Sequence, residues 1–263
     1  MTMNSTPKIF DTHAHYDDEA FDPDREAVIA SLREHGIGAV VNVGANRAGT
    51  EHSLELAQKY DFFYGAAGVH PSDTMEFENG TVSISWLREI ASQPKMLAIG
   101  EIGLDYYWDT PDRAIQKKWF LEQLALAKEL DKPVIIHSRD AAKDTLDLIR
   151  EAGGADMSMV IHCFSYEVEM AREYLKMGHF FGIGGVSTYK NARKLKEVIR
   201  FLPLEQILLE TDCPYLSPVP MRGKMNNSTY LYYTAEFIAN LIGIPKDDFA
   251  RITTENAKRL FKI

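Results

Sequence analysis

The stretch Ile9-Phe10-Asp11-Thr12-His13-Ala14-His15 runs a short apolar β segment directly into an acid and two histidines. A doubly wound open sheet would normally carry a glycine-rich phosphate loop here, after its first strand. No such glycines follow Phe10, and the rival arrangement is favoured: repeated βα units closing into a barrel, with polar groups at the C-terminal ends of the strands. Outward from this stretch, short apolar runs alternate with longer amphipathic ones almost to the end of the chain. The runs at residues 9–10, 39–43, 62–66, 97–100, 134–136, 159–161, 180–183 and 207–209 are predicted strands, which makes eight. Several lack polar alternation, as strands buried on both faces do. Leu195, Val198, Ile199 and Leu202 show the helical spacing that separates them. Other helices are expected at 24–35, 50–60, 113–130, 141–152, 167–177, 230–242 and 246–261, with Gly36, Gly153 and Gly178 as C-terminal caps. Residues 4–6 read as a frayed start. The expected fold is an α/β, single-domain (β/α)8 TIM barrel spanning residues 1–263, with a metal site at the C-terminal ends of its strands.

Bulk properties agree with one barrel and narrow the function. Hydrophobic residues at 45% and charged residues at 25% supply an ordinary globular core and exclude disorder. The N-terminus lacks a basic segment followed by an apolar run, and no stretch of about 18 apolar residues occurs, so a cytoplasmic protein without a membrane role is expected. The two cysteines, Cys163 and Cys213, then read as free thiols in a reducing compartment. A net charge of −9 excludes a broad basic face gripping long duplex DNA, but not local contact with a phosphate.

The polar residues gather where a barrel places its chemistry. His13 and His15 follow the first strand and His70 the third, while Glu101, His137, His162 and Asp212 end the fourth, fifth, sixth and eighth. Strand periodicity turns His13 and His15 to one side, where they can share an ion. A lone histidine or acid after a strand is more often a satisfied polar or capping group. Four histidines with a Glu and an Asp at strand ends instead suit Zn²⁺, Mn²⁺ or a similar ion. Two such cations would lower the pKa of a shared water and polarise an electrophile, with Asp212 placed to take the proton. Arg139 lies two residues past His137 and offers a bidentate phosphate contact; Arg222 and Lys224 add cations in the loop after the last strand. His35, His52 and His179 lie in or beside helices, and surface or capping roles are expected. Alternation should turn the thiols of Cys163 and Cys213 toward the helix layer.

Asp11-Thr12-His13-Ala14-His15, Gly68-Val69-His70-Pro71, Gly100-Glu101-Ile102-Gly103-Leu104-Asp105-Tyr106-Tyr107, His137-Ser138-Arg139, His162-Cys163-Phe164-Ser165 and Glu210-Thr211-Asp212-Cys213-Pro214-Tyr215-Leu216 together resemble the TatD family of metal-dependent deoxyribonucleases, amidohydrolase-like barrels. The likeness runs in order from residue 8 to the final helix, where Asn256-Ala257 also fits. It implies two divalent metal ions (Mg²⁺, Zn²⁺ or Mn²⁺): His13 and His15 on the first, Glu101 bridging, His137 and His162 on the second, and Asp212 as ligand and base. Asp212 and Glu101 would be catalytic, and His70, Arg139 and Arg222 would hold the substrate phosphate. The implied reaction is hydrolysis of DNA phosphodiesters, as a 3′–5′ exonuclease on single-stranded or frayed ends, with no obligate protein partner. Tyr166 replaces the glycine frequent after His-Cys-Phe-Ser, and residues 222–228 lack the family's usual loop ending; a base stacking on Tyr166 is one expectation from this departure. Two other readings are a barrel hydrolysing a small ester, lactone or amide, and a non-catalytic binding module. The acidic charge favours the former; the complete ligand set opposes the latter.

Overall fold

The computed structural model describes residues 8–108 and 110–263, so the predicted frayed start at 4–6 lies outside the described residues. In order they form β1 (Ile9–Ala14), α1 (Arg25–Leu32), β2 (Ile37–Val43), α2 (Arg47–Lys59), β3 (Phe63–Ala67), α3 (Met75–Glu78), α4 (Ile84–Ala91), β4 (Met96–Asp105) and α5 (Arg113–Glu129). The chain continues with β5 (Val134–Arg139), α6 (Ala142–Glu151), β6 (Met159–Ile161), α7 (Val168–Lys176), β7 (Phe180–Ile183), α8 (Arg193–Phe201), β8 (Ile207–Leu209), α9 (Leu231–Ile242) and α10 (Lys246–Phe261). Every strand pairs in parallel with its sequence neighbour, in the order β1 to β8, and the whole is a (β/α)8 barrel. Helices α3 and α4 were not expected. The signal for α4 is Ser83, whose hydroxyl accepts the Trp86 N–H at 3.2 Å, ahead of Ile84, Leu87 and Ala91 at helical spacing. Among the described residues no helix is long and apolar enough to cross a membrane.

The seam between β1 and β8 is closed partly by side chains. Thr12 Oγ1 donates to the Leu209 carbonyl at 3.0 Å, and the buried Asp11 carboxylate accepts from Thr211 N–H (3.0 Å), Thr211 Oγ1 (2.7 Å) and Ser228 Oγ (2.7 Å). Burial pushes Asp11 up to about 7 against the pull of those hydrogen bonds. Asp11 is therefore a structural staple of the seam.

Two packed layers separate the faces of the sheet. Phe10, Val41, Ala66, Ala98, Ile135, Val160, Phe180 and Leu208, one from each strand, fill the barrel interior. Ala257, Leu260 and Phe261 of α10 close its floor. The alternate residues, among them Ile9, Val40, Ile99, Ile136, Ile161 and Leu209, pack outward under the helices. From Ile135 and Val160, simple alternation carries the interior face to His137 and His162, and from Leu208 to Glu210, after which the chain leaves the strand and Asp212 adopts a φ of 59°. The same rule fails on β1 and β4, because counting from Phe10 and Ala98 would put Ala14 and Ile102 inside. Both pack outside instead. The register explains it: Asp11 and Ala14 oppose Val40 and Asn42, and Ile99 and Ile102 oppose Val134 and Ile136, so each strand carries one extra residue. These bulges flip the side chains and bring His13, His15, Glu101 and Asp105 to the interior. Beyond the bulge, β4 passes so near β5 that a Cβ at Gly103 would meet the His137 carbonyl oxygen at 1.9 Å.

Candidate metal centre

All six residues expected as ligands converge at the C-terminal mouth. The Glu101 carboxylate sits in the middle, and its two oxygens face different partners. Oε2 is 3.4 Å from His13 Nε2 and 3.9 Å from His15 Nε2. Oε1 is 2.7 Å from His137 Nδ1, 3.8 Å from His162 Nε2 and 4.0 Å from His70 Nε2. Asp212 Oδ1 stands between the sets, 3.4 Å from His15 Nε2 and 3.8 Å from the Nε2 atoms of both His13 and His162. The His13 and His162 rings stack at 3.5 Å, which forces their edges toward the same carboxylates.

Several groups orient this set from behind. His15 Nδ1 is 2.9 Å from the Val43 carbonyl, so the neutral ring keeps its Nδ1–H there and offers the Nε2 lone pair to the cluster. His137 Nε2 is 3.0 Å from Asp105 Oδ2. With that nitrogen protonated, the Nδ1 lone pair faces a Glu101 oxygen at 2.7 Å, a contact that requires a proton or a divalent cation. Glu210, buried below the mouth, accepts the Cys163 N–H at 2.6 Å, and its Oε1 lies 3.1 Å from His162 Nδ1 without hydrogen-bond alignment. Asp105 and Glu210 were not assigned these roles from sequence. Same-face counting finds both, Asp105 four residues past Glu101 and Glu210 two before Asp212.

The electrostatics suit a cation. Burial opposes charge throughout the centre, yet the Asp212 hydrogen bond and charge push His15 up to about 9, and Glu210 and Glu101 push His162 up to about 10. Burial likewise opposes the charges of Glu101 and Asp212, but the surrounding imidazoles hold both carboxyls below their usual range. The same carboxylates that draw protons onto Nε2 would draw a metal ion onto the same lone pairs. Candidate ligand groups are His13-Glu101-His162, His13-His15-Asp212 and His70-Glu101-His137.

His70 enters the cluster differently. Its Nδ1 accepts the Ser72 N–H at 3.2 Å, which leaves the neutral ring with a donor at Nε2, and burial with the nearby His137 pushes it down to about 3. It is suited to donate to a phosphate oxygen. Arg139 is exposed at the end of β5 with its guanidinium 3.8 Å from the Tyr107 ring, and Arg222 lies 4.4 Å from Tyr189 in the loop after β8; neither joins the ligand cluster. Lys224 is exposed in the same loop. The Tyr166 hydroxyl is 2.8 Å from Ser138 Oγ and accepts the Ala141 N–H at 3.4 Å, so this residue braces the β5–α6 connection.

Two expectations are corrected. Cys163 does not turn toward the helices: β6 ends at Ile161, Cys163 adopts a φ of 45°, and its thiol sits with His162 and Glu210. Burial first, and then Asp212, Glu210 and Glu101, push that thiol well up and keep it protonated. His179 is neither exposed nor a cap: it is fully buried near Tyr174 of α7, and neither ring nitrogen has a partner among the described residues. His35 is exposed beside the Ser31 carbonyl, and Cys213 packs outside the barrel, both as expected.

Comparison with known proteins matches residues 10–262 to the family described as TatD related DNase. The metal-dependent hydrolase YabD of Bacillus subtilis is 44% identical over 97% of this chain and 99% of its own length. The metal-dependent hydrolase YcfH of Escherichia coli is 35% identical over 97% of this chain and 96% of its own. The crystal structure of the TatD homologue YjjV from Escherichia coli superposes with a TM-score of 0.91 at 30% identity, covering 98% of this chain and all of that one, 100%.

Proposed function

The chain belongs to the TatD-related family of metal-dependent hydrolases, and from that premise we propose that it is a deoxyribonuclease using two divalent metal ions to hydrolyse phosphodiester bonds. We assign it 3′–5′ exonuclease action on single-stranded or frayed DNA. The observation that carries the reading is the division of Glu101, one oxygen toward His13 and His15 and the other toward His137 and His162, an arrangement in which this carboxylate and the two pairs of imidazoles would hold two cations.

When bound, the cations (Mg²⁺, Mn²⁺ or Zn²⁺) supply Lewis acidity toward the phosphate and raise the acidity of water. The residues do the rest. Asp212 Oδ1, within 3.8 Å of ligands from both sets, accepts the proton of the attacking water. His70 Nε2 donates to a non-bridging phosphate oxygen, and Arg139 and Arg222 receive flanking phosphates. DNA is then held locally at the mouth, in keeping with a net charge of −9.

Oligonucleotides labelled at the 5′ or the 3′ end, incubated with protein and each metal in turn, test the assignment. Stepwise shortening from the 3′ end is expected. No cleavage with any metal, or hydrolysis of a lactone or ester panel that leaves DNA intact, overturns it.

A further inference from the structure

Just beyond β4 the chain presents two large aromatic rings to solvent. Trp108 is 63% exposed and Tyr107 54%, with ring centroids 5.0 Å apart and planes at 88°. Two adjoining exposed rings form an apolar patch, the kind of surface that marks an interaction site where single exposed side chains do not. The other tryptophans are engaged elsewhere: Trp119 stacks on Phe77 at 4.1 Å, and Trp86 is half-buried beneath Arg47. The aromatic pair is also tied to the centre. Asp105 Oδ1 accepts the Tyr107 N–H at 2.9 Å and the Trp108 N–H at 3.4 Å, while Asp105 Oδ2 holds His137. The Arg139 guanidinium covers the Tyr107 ring at 3.8 Å and resolves no carboxylate partner among the described residues.

We propose that Trp108, backed by Tyr107 and Arg139, is a stacking platform for an unpaired nucleobase next to the phosphate held at the metal centre. The site rests on the nuclease reading and sharpens its substrate class to strands with free bases. Every base has a π face, so such a platform tolerates sequence, and a guanidinium beside it suits the adjoining phosphate. Tyr166 offers less ring to a base, being part-buried against Phe164 at 5.8 Å, whereas Trp108 is mostly exposed.

Indole fluorescence and steady-state kinetics test the platform together. Single-stranded oligothymidylate with a cleavage-resistant phosphorothioate backbone, added to the metal-loaded protein, should quench wild-type emission, and an abasic strand of the same backbone and length should not. Trp108→Ala should abolish that quench and raise KM for oligothymidylate by roughly five- to a hundredfold, with Trp108→Phe intermediate. Hydrolysis of the abasic strand made with ordinary phosphodiesters, which offers no aromatic ring to the platform, should be unchanged. Equal quenching by the abasic strand, an unchanged KM, or equal losses on both substrates overturns the platform. Failure of the nuclease reading looks different: oligothymidylate still quenches, but no metal supports cleavage.

Discussion

At the mouth of the barrel, the Val43 carbonyl and two carboxylates hold the ring nitrogens of His15 and His137, and the buried His162 lies among Glu101, Glu210 and Asp212. At the floor, Phe10 and Phe261 meet at 5.8 Å in an apolar plug, and His179, at the N-terminal end of β7, is buried without a partner for either nitrogen among the described residues. Crowding charge at the mouth opposes folding and serves chemistry, whereas the floor contributes stability and no reactive group. A substitution at one end should therefore leave the other's property intact. Each prediction that follows tests that separation.

Asp212→Asn should have the largest effect. Asn keeps the shape and one oxygen donor but loses the basicity, so kcat should fall by roughly 10²–10⁴-fold with metal saturating. Asp212 has a φ of 59°, a conformation Asn tolerates at least as well as Asp, so the thermal midpoint should stay near wild type. Retention of more than about a tenth of kcat with metal bound would remove Asp212 as the base. Phe261→Ala is the mirror image. Truncating that ring inside the α10 plug should cost about 3–5 kcal/mol by urea denaturation, while kcat at a temperature where the protein stays folded remains within about twofold. A proportional loss of kcat would show that the two ends are coupled.

The same contrast explains what the sequence disclosed. All eight strands and the candidate ligands His137 and His162 were legible, because apolar runs mark the strands and alternation carries Ile135 and Val160 to them, while Asp212, past the end of β8 with a φ of 59°, was found as an acid after a strand. His13 and Glu101 were found as residue types at strand ends, but the bulges that turn them inward lie in the pairing register of β1 and β4, which no local pattern encodes. Asp105 and Glu210 were obscured because an acid that orients a histidine looks, in sequence, like one that binds a metal. His179 was misread for a tertiary reason: beside Gly178 it resembles a helix end, and its burial near Tyr174 is set by the folded chain rather than by local pattern.

Asp105→Asn should act more mildly than loss of a ligand. The variant can keep its bonds to the Tyr107 and Trp108 N–H groups, but its amide then donates to His137 Nε2 and moves the ring proton to Nδ1, the nitrogen facing Glu101. Metal affinity, followed by calorimetric titration, should weaken by roughly 10–100-fold with the thermal midpoint of the metal-free protein little changed. Unaltered affinity would mean that His137 needs no support from Asp105.

The smallest effect is expected at His179 and shows only in acid. Burial holds this imidazole down to about 4 from its ordinary 6.5, so the folded protein keeps it neutral where the unfolded chain protonates it. Between those values the unfolded state binds more protons. The contribution of His179 is therefore fully present above about pH 6.5 and is lost as pH falls toward 4, at a limiting slope of about 1.4 kcal/mol per pH unit. Other acids titrate in the same window, so the diagnostic quantity is the difference between wild type and His179→Phe, which fills the site without a titratable nitrogen. At pH 7.5 the variant should be at least as stable, because a neutral imidazole with both nitrogens unpartnered gives the core no hydrogen bond. By pH 4.5 its advantage should have grown by about 2 kcal/mol, measured by urea unfolding of metal-free protein. Parallel stability curves over that range would mean that the His179 ring gains a partner or solvent in the folded state, and the floor would then manage polarity as the mouth does.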